Sequence, residues 1–351
     1  MNTTGRGWRL RVALVMPSLN EQSSVDAAMA AIRASSRQPD EIVVVDGGST
    51  DATHAMLQAH AAAGLPVRLL VRPGMLPGAA RNEGVRATEC DVLLFLDFGN
   101  VAHARWIEAM AQPFEDDPDV EGAGGLFEPL MTNDFERCVA AIQYHDAALF
   151  NRLPRSEQLA RVPSEIRLGG LSMAVRRDVY LRLGGQPHWL RAGEDLLFGL
   201  KLLASRAKVA VALDACVFHH MRADAGELYR QNRLYSRGEA RLGFGLTDHL
   251  RKVVVYGAAL CAMPLALWGG WVGQLCAALA LLLWGLHVYR CGPARMLRVF
   301  GVHALRRNWA TLLAAVVVKD VGSLAGYARG LAERLTQPHW RRRQRAYLQL
   351  P

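Results

Sequence analysis

The feature that most constrains the fold of this chain is a run of 37 residues, Val253–Tyr289, that contains no Asp, Glu, Lys or Arg. As one helix this run would be about 55 Å long at ~1.5 Å per residue, whereas the hydrocarbon core of a membrane is about 30 Å thick. A pair of short membrane-spanning helices, broken near Gly269–Gly270, therefore fits the length better than one span. The alternative is a buried helical hairpin of a soluble protein.

Basic residues are concentrated after this run. Residues 290–351 contain 12 Lys and Arg against 2 acids, whereas the first 250 residues contain 27 basic and 30 acidic residues. A nucleic-acid-binding protein carries its basic residues on the folded domain, so this distribution argues against nucleic acid as a partner. Basic residues on both sides of an apolar run suit an anionic membrane surface, and the positive-inside rule puts both flanks and the N-terminal domain in the cytosol.

The pattern predicts four segments: a folded domain over residues 1–250, a membrane hairpin over 251–289, a third helical region over 290–335 and a basic tail over 336–351. The third region contains the apolar stretch Trp309–Leu331, whose charged residues leave an interfacial helix and a third span both open. Four arginines in the tail predict a disordered segment that binds lipid. The start of the chain lacks a long apolar segment, so we expect no signal peptide. The six cysteines, none in a C-x-x-C pair, predict reduced thiols.

Short apolar runs alternate with helical spacing between Arg11 and Phe218. The runs predict four buried strands: Val12–Met16, Glu41–Val45, Val67–Val71 and Val92–Leu96. The stretches between them predict three helices: Val25–Ser35, Thr53–Ala63 and Ala79–Ala87. This alternation predicts an α/β domain with a mostly parallel sheet covered by helices on both faces. Ligands of such sheets bind at the C-terminal ends of the strands.

Polar residues follow the first two predicted strands. Pro17–Glu21 comes after the first strand, and Asp46–Asp51, with two glycines, comes after the second. The glycines allow a backbone to approach a ligand closely, and Asp46 can accept hydrogen bonds from a base or a ribose. Equally, Ser49, Thr50 and Asp51 are residue types that cap the start of a helix.

Carboxylates mark two further positions. Asp97 follows the fourth strand, where it can bind a hard divalent cation or cap a turn. Glu194 and Asp195 precede an apolar helix, Leu196–Leu203, where they can act on its dipole. A transferase that activates a hydroxyl needs one such carboxylate as its base.

Taken in order, these segments resemble a family 2 glycosyltransferase of the GT-A fold over about Val12 to Gly238. Five features carry the resemblance: Pro17–Glu21, Asp46–Asp51, Gly78–Gly84, Asp97 and Gly193–Asp195. Within the family, the V-D-G-G-S-T-D wording, Ala174–Gly185, Arg230–Gly238 and the apolar C-terminal run are similar to membrane-attached exopolysaccharide transferases of the succinoglycan-biosynthesis type.

The resemblance implies a role for each matched residue. Asn20, Glu21, Asp46 and Asp51 would line the pocket for the nucleoside of a sugar nucleotide, while Arg81 and Asn82 would hold its ribose and diphosphate. Asp97 corresponds to the first acid of the D-x-D motif, which binds a divalent metal (Mg²⁺ or Mn²⁺), and His219 lies where some relatives complete the metal shell. A surface position is the other interpretation of His219. Asp195 corresponds to the general base, which implies a single displacement with inversion.

The sequence departs from the family pattern at two places. Gly99 replaces the second acid of the D-x-D motif, and Asn100 follows one residue later. The metal is then bound weakly, or His219 supplies the missing ligand, or the site is inactive. Gln231–Tyr235 stands where processive relatives have Q-x-x-R-W, with its arginine, Arg233, out of register and a tyrosine in place of the tryptophan. This departure argues for transfer of a single sugar, and Arg233 contacts either the donor diphosphate or lipid headgroups.

The expectation is therefore an inverting hexosyltransferase of the inner membrane, with its catalytic domain in the cytosol. Its donor would be a nucleotide sugar, and UDP is the commonest donor nucleotide in the family. Its acceptor would be a lipid-linked or membrane-proximal glycan in cell-surface or exopolysaccharide synthesis. The alternatives are a nucleotide-binding module without turnover and a membrane scaffold, both motivated by the altered D-x-D motif.

Overall fold

A computed structural model describes residues 9–158, 168 and 172–349 of the chain. These residues form two compact units. The first unit comprises Met1–Glu128, Phe150–His220 and Tyr347–Pro351, and the second comprises Pro129–Leu149 and Met221–Ala346. Residues 221–250 thus belong to the same unit as the apolar C-terminal helices.

The N-terminal half of the first unit is a parallel sheet built as the sequence predicts. Its strands are β1 (Val12–Ser18), β2 (Glu41–Asp46), β3 (Val67–Val71) and β4 (Val92–Phe95), in the order β3-β2-β1-β4. All three neighbouring pairs are parallel. The intervening helices are α1 (Val25–Arg33), α2 (Thr53–Ala62) and α3 (Pro77–Arg86).

Four more strands, which the apolar pattern did not reveal, extend this sheet beyond β4. They are β5 (Asn100–Ala102), β6 (Val120–Leu130), β7 (Met173–Arg176) and β8 (Lys208–His220). The order continues β4-β7-β6-β8-β5, with antiparallel pairing of β4 with β7, β6 with β7 and β5 with β8. The sheet is therefore mixed, and the predicted α/β class is confirmed.

Side chains of the central strands alternate between two apolar cores. Val12, Leu14 and Met16 of β1 join one buried cluster, while Ala13 and Val15 join the other. Further helices of the unit pack there: α4 (Trp106–Asp116), α7 (Arg177–Arg182) and α8 (Glu194–Ala204). Strand β3 differs from the prediction of a strand buried on both faces: it ends the sheet, so Arg68 and Val71 are exposed.

The second unit is helical. It contains α5 (Asp134–Gln143), α9 (Ala225–Leu242), α10 (Leu246–Trp268), α11 (Gly270–Cys291) and α12 (Pro293–Thr336), and the helical backbone of α12 is interrupted at Gly301, whose φ is 83°. Helices α6 (His145–Phe150) and α13 (His339–Leu348) lie at the boundary of the unit. Helices α10, α11 and α12 are long and apolar enough to cross a membrane. The break between α10 and α11 falls at Gly269, where the sequence predicts it.

The tail is a helix, so the prediction of a disordered segment is wrong. Trp340 of α13 is buried, and the guanidinium carbon of Arg241 lies 4.2 Å from the centre of its indole ring. Gln344 donates a hydrogen bond to the carbonyl oxygen of Leu242 and accepts one from Arg334. Charge density predicted disorder here, but one aromatic and one amide side chain anchor the segment.

Three glycines of α12, four residues apart, hold α9 against it. A Cβ on Gly322, Gly326 or Gly330 would collide with the backbone carbonyl oxygen of Tyr229, Arg233 or Arg237, respectively. We call these three residues the glycine row. Because the contacts advance in step along both helices, α9 and α12 run parallel with their backbones touching.

Replacing one member of the glycine row tests this packing. We expect Gly326→Ala to lower the free energy of unfolding by about 1–3 kcal/mol, because the added methyl group forces the two backbones apart. Gly257→Ala in α10 is the matched control, since a Cβ there meets no atom within 4 Å. Thermal unfolding of the purified chain measures both. An unchanged midpoint for Gly326→Ala would contradict the close contact.

Candidate active site

The C-terminal ends of the parallel strands bring the predicted polar segments of the first unit together. Ser18 at the end of β1 pairs in register with Asp46 at the end of β2. Asp97 follows β4, which pairs with β1 on its other side. The loops after these strands therefore share one edge of the sheet.

Asp46 organises the loop that follows β2. Its buried carboxylate accepts hydrogen bonds from the amides of Gly48 and Ser49, the hydroxyls of Ser18 and Ser49, and Nε2 of His54. Burial opposes ionisation, but the bonds from Ser49, His54 and Ser18 outweigh it and hold the pKa of Asp46 below its usual range. Five donors occupy about four lone-pair positions, so the carboxylate is engaged by the loop itself.

A second set of bonds ties the loop after β1 to the loop after β2. Asn20, whose φ is 57°, accepts a hydrogen bond from the amide of Thr50 at 2.9 Å. The amide of Glu21 donates to the hydroxyl of Thr53 at 2.8 Å. Asp51 accepts from the hydroxyl and amide of Thr53, which hold the pKa of Asp51 below its ordinary value. Asn20 is exposed and Glu21 and Asp51 are half-buried, so these three side chains border an accessible edge.

Arg81 of α3 joins carboxylates from distant parts of the chain. It is 2% exposed; its Nη2 lies 2.6 Å from Oδ1 of Asp97, and its Nη1 lies 2.9 Å from Oε1 of Glu194 and 3.0 Å from Oε1 of Gln186. We call these four residues the Arg81 cluster. Burial alone would lower the pKa of Arg81, but the carboxylates of Asp97, Glu194 and Asp195 outweigh it and raise that pKa above its ordinary value. Burial, opposed by Arg81, raises the pKa of Glu194.

Asn82, the neighbour of Arg81, holds the turn that leads to α8. Its Nδ2 donates to the carbonyl oxygen of Gln186 at 2.7 Å, and its Oδ1 accepts from the amide of Gln186 and from the Tyr180 hydroxyl. Gly185 allows this approach, since a Cβ there would overlap the Asn82 amide. Asn82 thus bonds both backbone polar groups of one residue.

Asp195 lies in the first turn of α8, next to Glu194 of the Arg81 cluster. The helix starts after Gly193, whose φ of 85° favours glycine. The Arg81 cluster therefore connects the residue after β4 to the helix that carries Asp195, across a separation of 113 residues between Arg81 and Glu194.

The residues beyond Asp97 include two possible metal-binding groups. Asn100 and His219 are paired across β5 and β8, and Nδ1 of His219 lies 2.7 Å from Oδ1 of Asn100. With Nδ1 as the donor, Nε2 carries the lone pair that ligates a metal. Within the described residues, no group of three or more His, Cys, Asp or Glu could hold a metal ion.

Arg233 belongs to the second unit, where it is exposed on α9. Two of its neighbours in the Q-N-R segment, Gln231 and Asn232, are buried. Sequence reasoning did not single out Gln186 and His54 and gave Glu194 only a helix-terminal role. Glu194 lies beside Asp195 in the motif, so its position was a signal. No local sequence pattern distinguishes Gln186 or His54.

Part of the chain matches a known protein family. Residues 13–183 match the model for Glycosyl transferase family 2. The chain is 26% identical over 220 residues to an uncharacterized glycosyltransferase of Haemophilus influenzae, covering 60% of this chain and 70% of that protein. It is 23% identical over 239 residues to succinoglycan biosynthesis protein ExoA of Rhizobium meliloti, covering 65% and 68%. Among its sequence relatives, the chain covers as little as 54% of the relative's length.

A solved structure extends the fold comparison over most of the chain. The mannosyltransferase PcManGT from Pyrobaculum calidifontis, in complex with GDP-Man and Mn²⁺, has a TM-score of 0.54 at 20% identity and covers 90% of this chain and 88% of that one. Residues 13–183 therefore form a glycosyltransferase domain of family 2, and the fold is GT-A-like. The predicted family resemblance is confirmed.

A double-mutant cycle tests the Arg81 cluster. We expect Arg81→Lys to lower the free energy of unfolding by about 3 kcal/mol, because one ammonium cannot replace the fork that reaches Asp97 and Glu194. The double variant Arg81→Lys, Glu194→Gln should lose less free energy of unfolding than the sum of the losses of the two single variants, by at least about 1 kcal/mol. Arg37→Lys, at another buried arginine beside a carboxylate, is the matched control and should add to Glu194→Gln within about 0.5 kcal/mol. Additive losses for Arg81 and Glu194 would contradict the bridge.

Proposed function

We propose that this chain transfers a single sugar, with inversion, from a nucleotide-sugar donor to a lipid-linked or membrane-proximal acceptor. The observation that carries this proposal is the Arg81 cluster, which ties Asp97 to the helix of Asp195 at the ligand-binding edge of the sheet. One cation thus fixes the donor-side carboxylate, Asp97, and, through Glu194, the helix that carries the acceptor-side carboxylate, which suits a displacement between two substrates.

The donor occupies the edge bordered by the loops after β1 and β2. Asn20, Glu21 and Asp51 line the nucleoside pocket, and Asp46 contributes by shaping the loop that contacts the base. Arg81 and Asn82 serve the ribose and diphosphate end, where they also fix Asp97 and the turn before α8. Arg233, on α9, is assigned to the diphosphate. A UDP-sugar is the first donor to test, followed by a GDP-sugar, since PcManGT was solved with GDP-Man.

Asp195 is the proposed general base. It takes the proton of the acceptor hydroxyl as that oxygen forms its bond to the anomeric carbon, and the bond to the nucleoside diphosphate breaks. Asp97 and His219 are the protein groups that would hold a divalent metal (Mg²⁺ or Mn²⁺), which supplies positive charge to the leaving diphosphate when bound. Transfer of one sugar, rather than polymerisation, follows from the altered Q-x-x-R-W segment.

The membrane assignment rests on the apolar helices and the distribution of basic residues. Helices α10 and α11 are the proposed membrane hairpin, and the basic residues on both sides of it support a catalytic domain at the cytosolic face of the inner membrane. An acceptor in cell-surface or exopolysaccharide synthesis is consistent with a relative named for succinoglycan biosynthesis. The second candidate function, a nucleotide-binding module or membrane scaffold without turnover, is favoured only by Gly99.

Removing the base tests the mechanism. We expect Asp195→Asn to lower transfer to acceptors in a membrane extract at least about 100-fold, because the acceptor proton loses its carrier, while nucleotide binding stays near the wild-type level. Asp178→Asn is the control, since Asp178 also lies in the first turn of a helix of this unit but is exposed. Transfer by Asp195→Asn at the wild-type rate would remove the base assignment.

Restoring the second acid of the D-x-D motif tests the metal assignment. A Cβ on Gly99 meets no atom within 4 Å, so an aspartate fits there. We expect Gly99→Asp to lower the Mn²⁺ concentration for half-maximal donor hydrolysis at least about 10-fold, because a second carboxylate joins the metal site. Gly99→Asn, with the same size and no charge, should change it much less. An equal Mn²⁺ requirement in all three proteins would contradict a metal site at Asp97.

A further inference from the structure

Helix α12 has the composition of a membrane span, yet it packs along helices that are too polar for one. Its C-terminal part runs beside α9 through the glycine row, which brings the two backbones into contact. Glu333 of α12 pairs with Arg237 and Arg241 of α9. The hydroxyls of Ser323 and Ser236 are 2.9 Å apart in the same interface.

Helix α9 cannot lie in the hydrocarbon core. It carries exposed Arg230 and Arg233 on its outer side, together with the arginines that pair with Glu333. Arginine is strongly disfavoured at the centre of a bilayer. Because the glycine row leaves no gap between the helices, the stretch of α12 beside α9 lies at the same depth, outside the core.

The N-terminal part of α12 is bound in a similar way to α5. Arg307 lies 2.9 Å from the Asp134 carboxylate, and Arg295 donates to the carbonyl oxygen of Ile142. Between Arg307 and Lys319 there are 11 uncharged residues. At ~1.5 Å per residue they cover about 17 Å, which is too short for a core of about 30 Å.

Most of the length of helices α10 and α11 lacks such polar partners; only the start of α10 and the end of α11 reach Asp320 of α12, through Lys252, Tyr256 and His287. The outward side chains of α10 and α11 are apolar and far more exposed, with Leu260 and Trp268 80% exposed and Trp271 78% exposed. Lipid is the solvent that suits such surfaces. Two spans return the chain to the side of the membrane from which it started.

Helix α13 then presents a fixed cationic surface. Arg341, Arg342, Arg343 and Arg345, which we call the arginine face, are all exposed. Trp340 and Gln344 hold the helix to α9 and α12 through Arg241, Leu242 and Arg334. Between Glu333 and Gln349, the end of the described residues, there is no acidic residue.

We propose that α12 lies along the membrane surface without crossing the bilayer, and that the arginine face binds anionic lipid headgroups on the side where both chain termini lie. Basic clusters next to membrane helices bind acidic lipids, and such binding weakens as salt rises. The packed, charge-lined faces of α12 exclude a third span, and the ordered helix α13 presents its arginines without a cost for folding the segment. This proposal is independent of the catalytic assignment.

Topology is tested in the full-length chain with its six cysteines replaced by serine and one cysteine added. Thr3→Cys and Leu348→Cys mark the termini, and Trp271→Cys marks the turn of the hairpin. With a membrane-impermeant maleimide on intact cells, we expect Thr3→Cys and Leu348→Cys to react alike and Trp271→Cys to react oppositely. Opposite reactivity at Thr3 and Leu348 would overturn the proposal. Reaction of both termini from outside would instead reverse the proposed cytosolic orientation and leave two spans in place.

If the cysteine-free chain does not fold, green fluorescent protein fused to the C-terminus of the native chain gives the same information, since it fluoresces only in the cytosol. The amino terminus carries the matching reporter in a second fusion. Fluorescence of both fusions, or of neither, shows an even number of spans and so excludes a third span. Fluorescence of one alone overturns the proposal.

Lipid binding is tested by amide hydrogen exchange of residues 339–348 in nanodiscs of phosphatidylcholine with or without phosphatidylglycerol. We expect exchange at least about 5-fold slower with phosphatidylglycerol at low salt, and no difference after all four arginines of the arginine face are changed to glutamine. The control changes four exposed arginines of the first unit, Arg86, Arg105, Arg155 and Arg182, to glutamine and should keep the difference. Equal exchange in both lipids, or slowing by an RNA oligonucleotide and not by phosphatidylglycerol, would overturn the proposal.

Discussion

The buried guanidinium of Arg81 holds two carboxylates from distant parts of the chain: Glu194, which is buried, and Asp97, which is partly exposed. Burying such charges is costly unless each is paired. Arg81 meets that condition with a planar fork whose two nitrogens reach different partners. The position of the residue after β4 and the start of the helix that carries Asp195 both depend on this one side chain.

The surroundings of Arg81 are built to keep it in place. Gly78 lets α3 approach α8 closely, since a Cβ there would clash with the Pro187 carbonyl and crowd Glu194. Asn82 fastens the turn before α8 by bonding both backbone groups of Gln186. The loops after β1 and β2 have their own centre in Asp46. Two buried charges, one positive and one negative, thus order the ligand-binding edge of the first unit.

The sequence predicted the parts of this molecule that depend on local periodicity. Four apolar runs with helical spacing between them predicted β1 to β4 and α1 to α3, with bounds that agree with the structure within a few residues. The glycines at 269 and 270 predicted the break between α10 and α11. The other four strands were missed because β5 and β7 have only three and four residues, three glycines interrupt β6, and Asp214 divides the apolar residues of β8. The helical tail was missed because Trp340 finds its partner, Arg241, about one hundred residues earlier in the chain.

The candidate site likewise has features that the sequence predicted and features that depend on tertiary contacts. Motif positions marked the candidate residues, but the partners of these residues follow from tertiary contacts that no spacing encodes. Asp46 was expected to bind the base or ribose of the nucleoside. Its carboxylate instead accepts hydrogen bonds from amides and hydroxyls of the protein. Arg81 and Asn82 were expected at the donor, and their hydrogen bonds go to groups of the protein. Their contact with a nucleotide sugar is part of the proposed function.

The most direct measurement is nucleotide release by the purified full-length chain from a panel of UDP-sugars and GDP-sugars, with Mn²⁺ or with a chelator. Slow hydrolysis of the donor needs no acceptor. Our account predicts release from one donor that depends on Mn²⁺ and is lost in Asp97→Asn. Binding of a nucleotide without release from any donor, even when a membrane extract is added as acceptor, would contradict the account and make the chain a binding module.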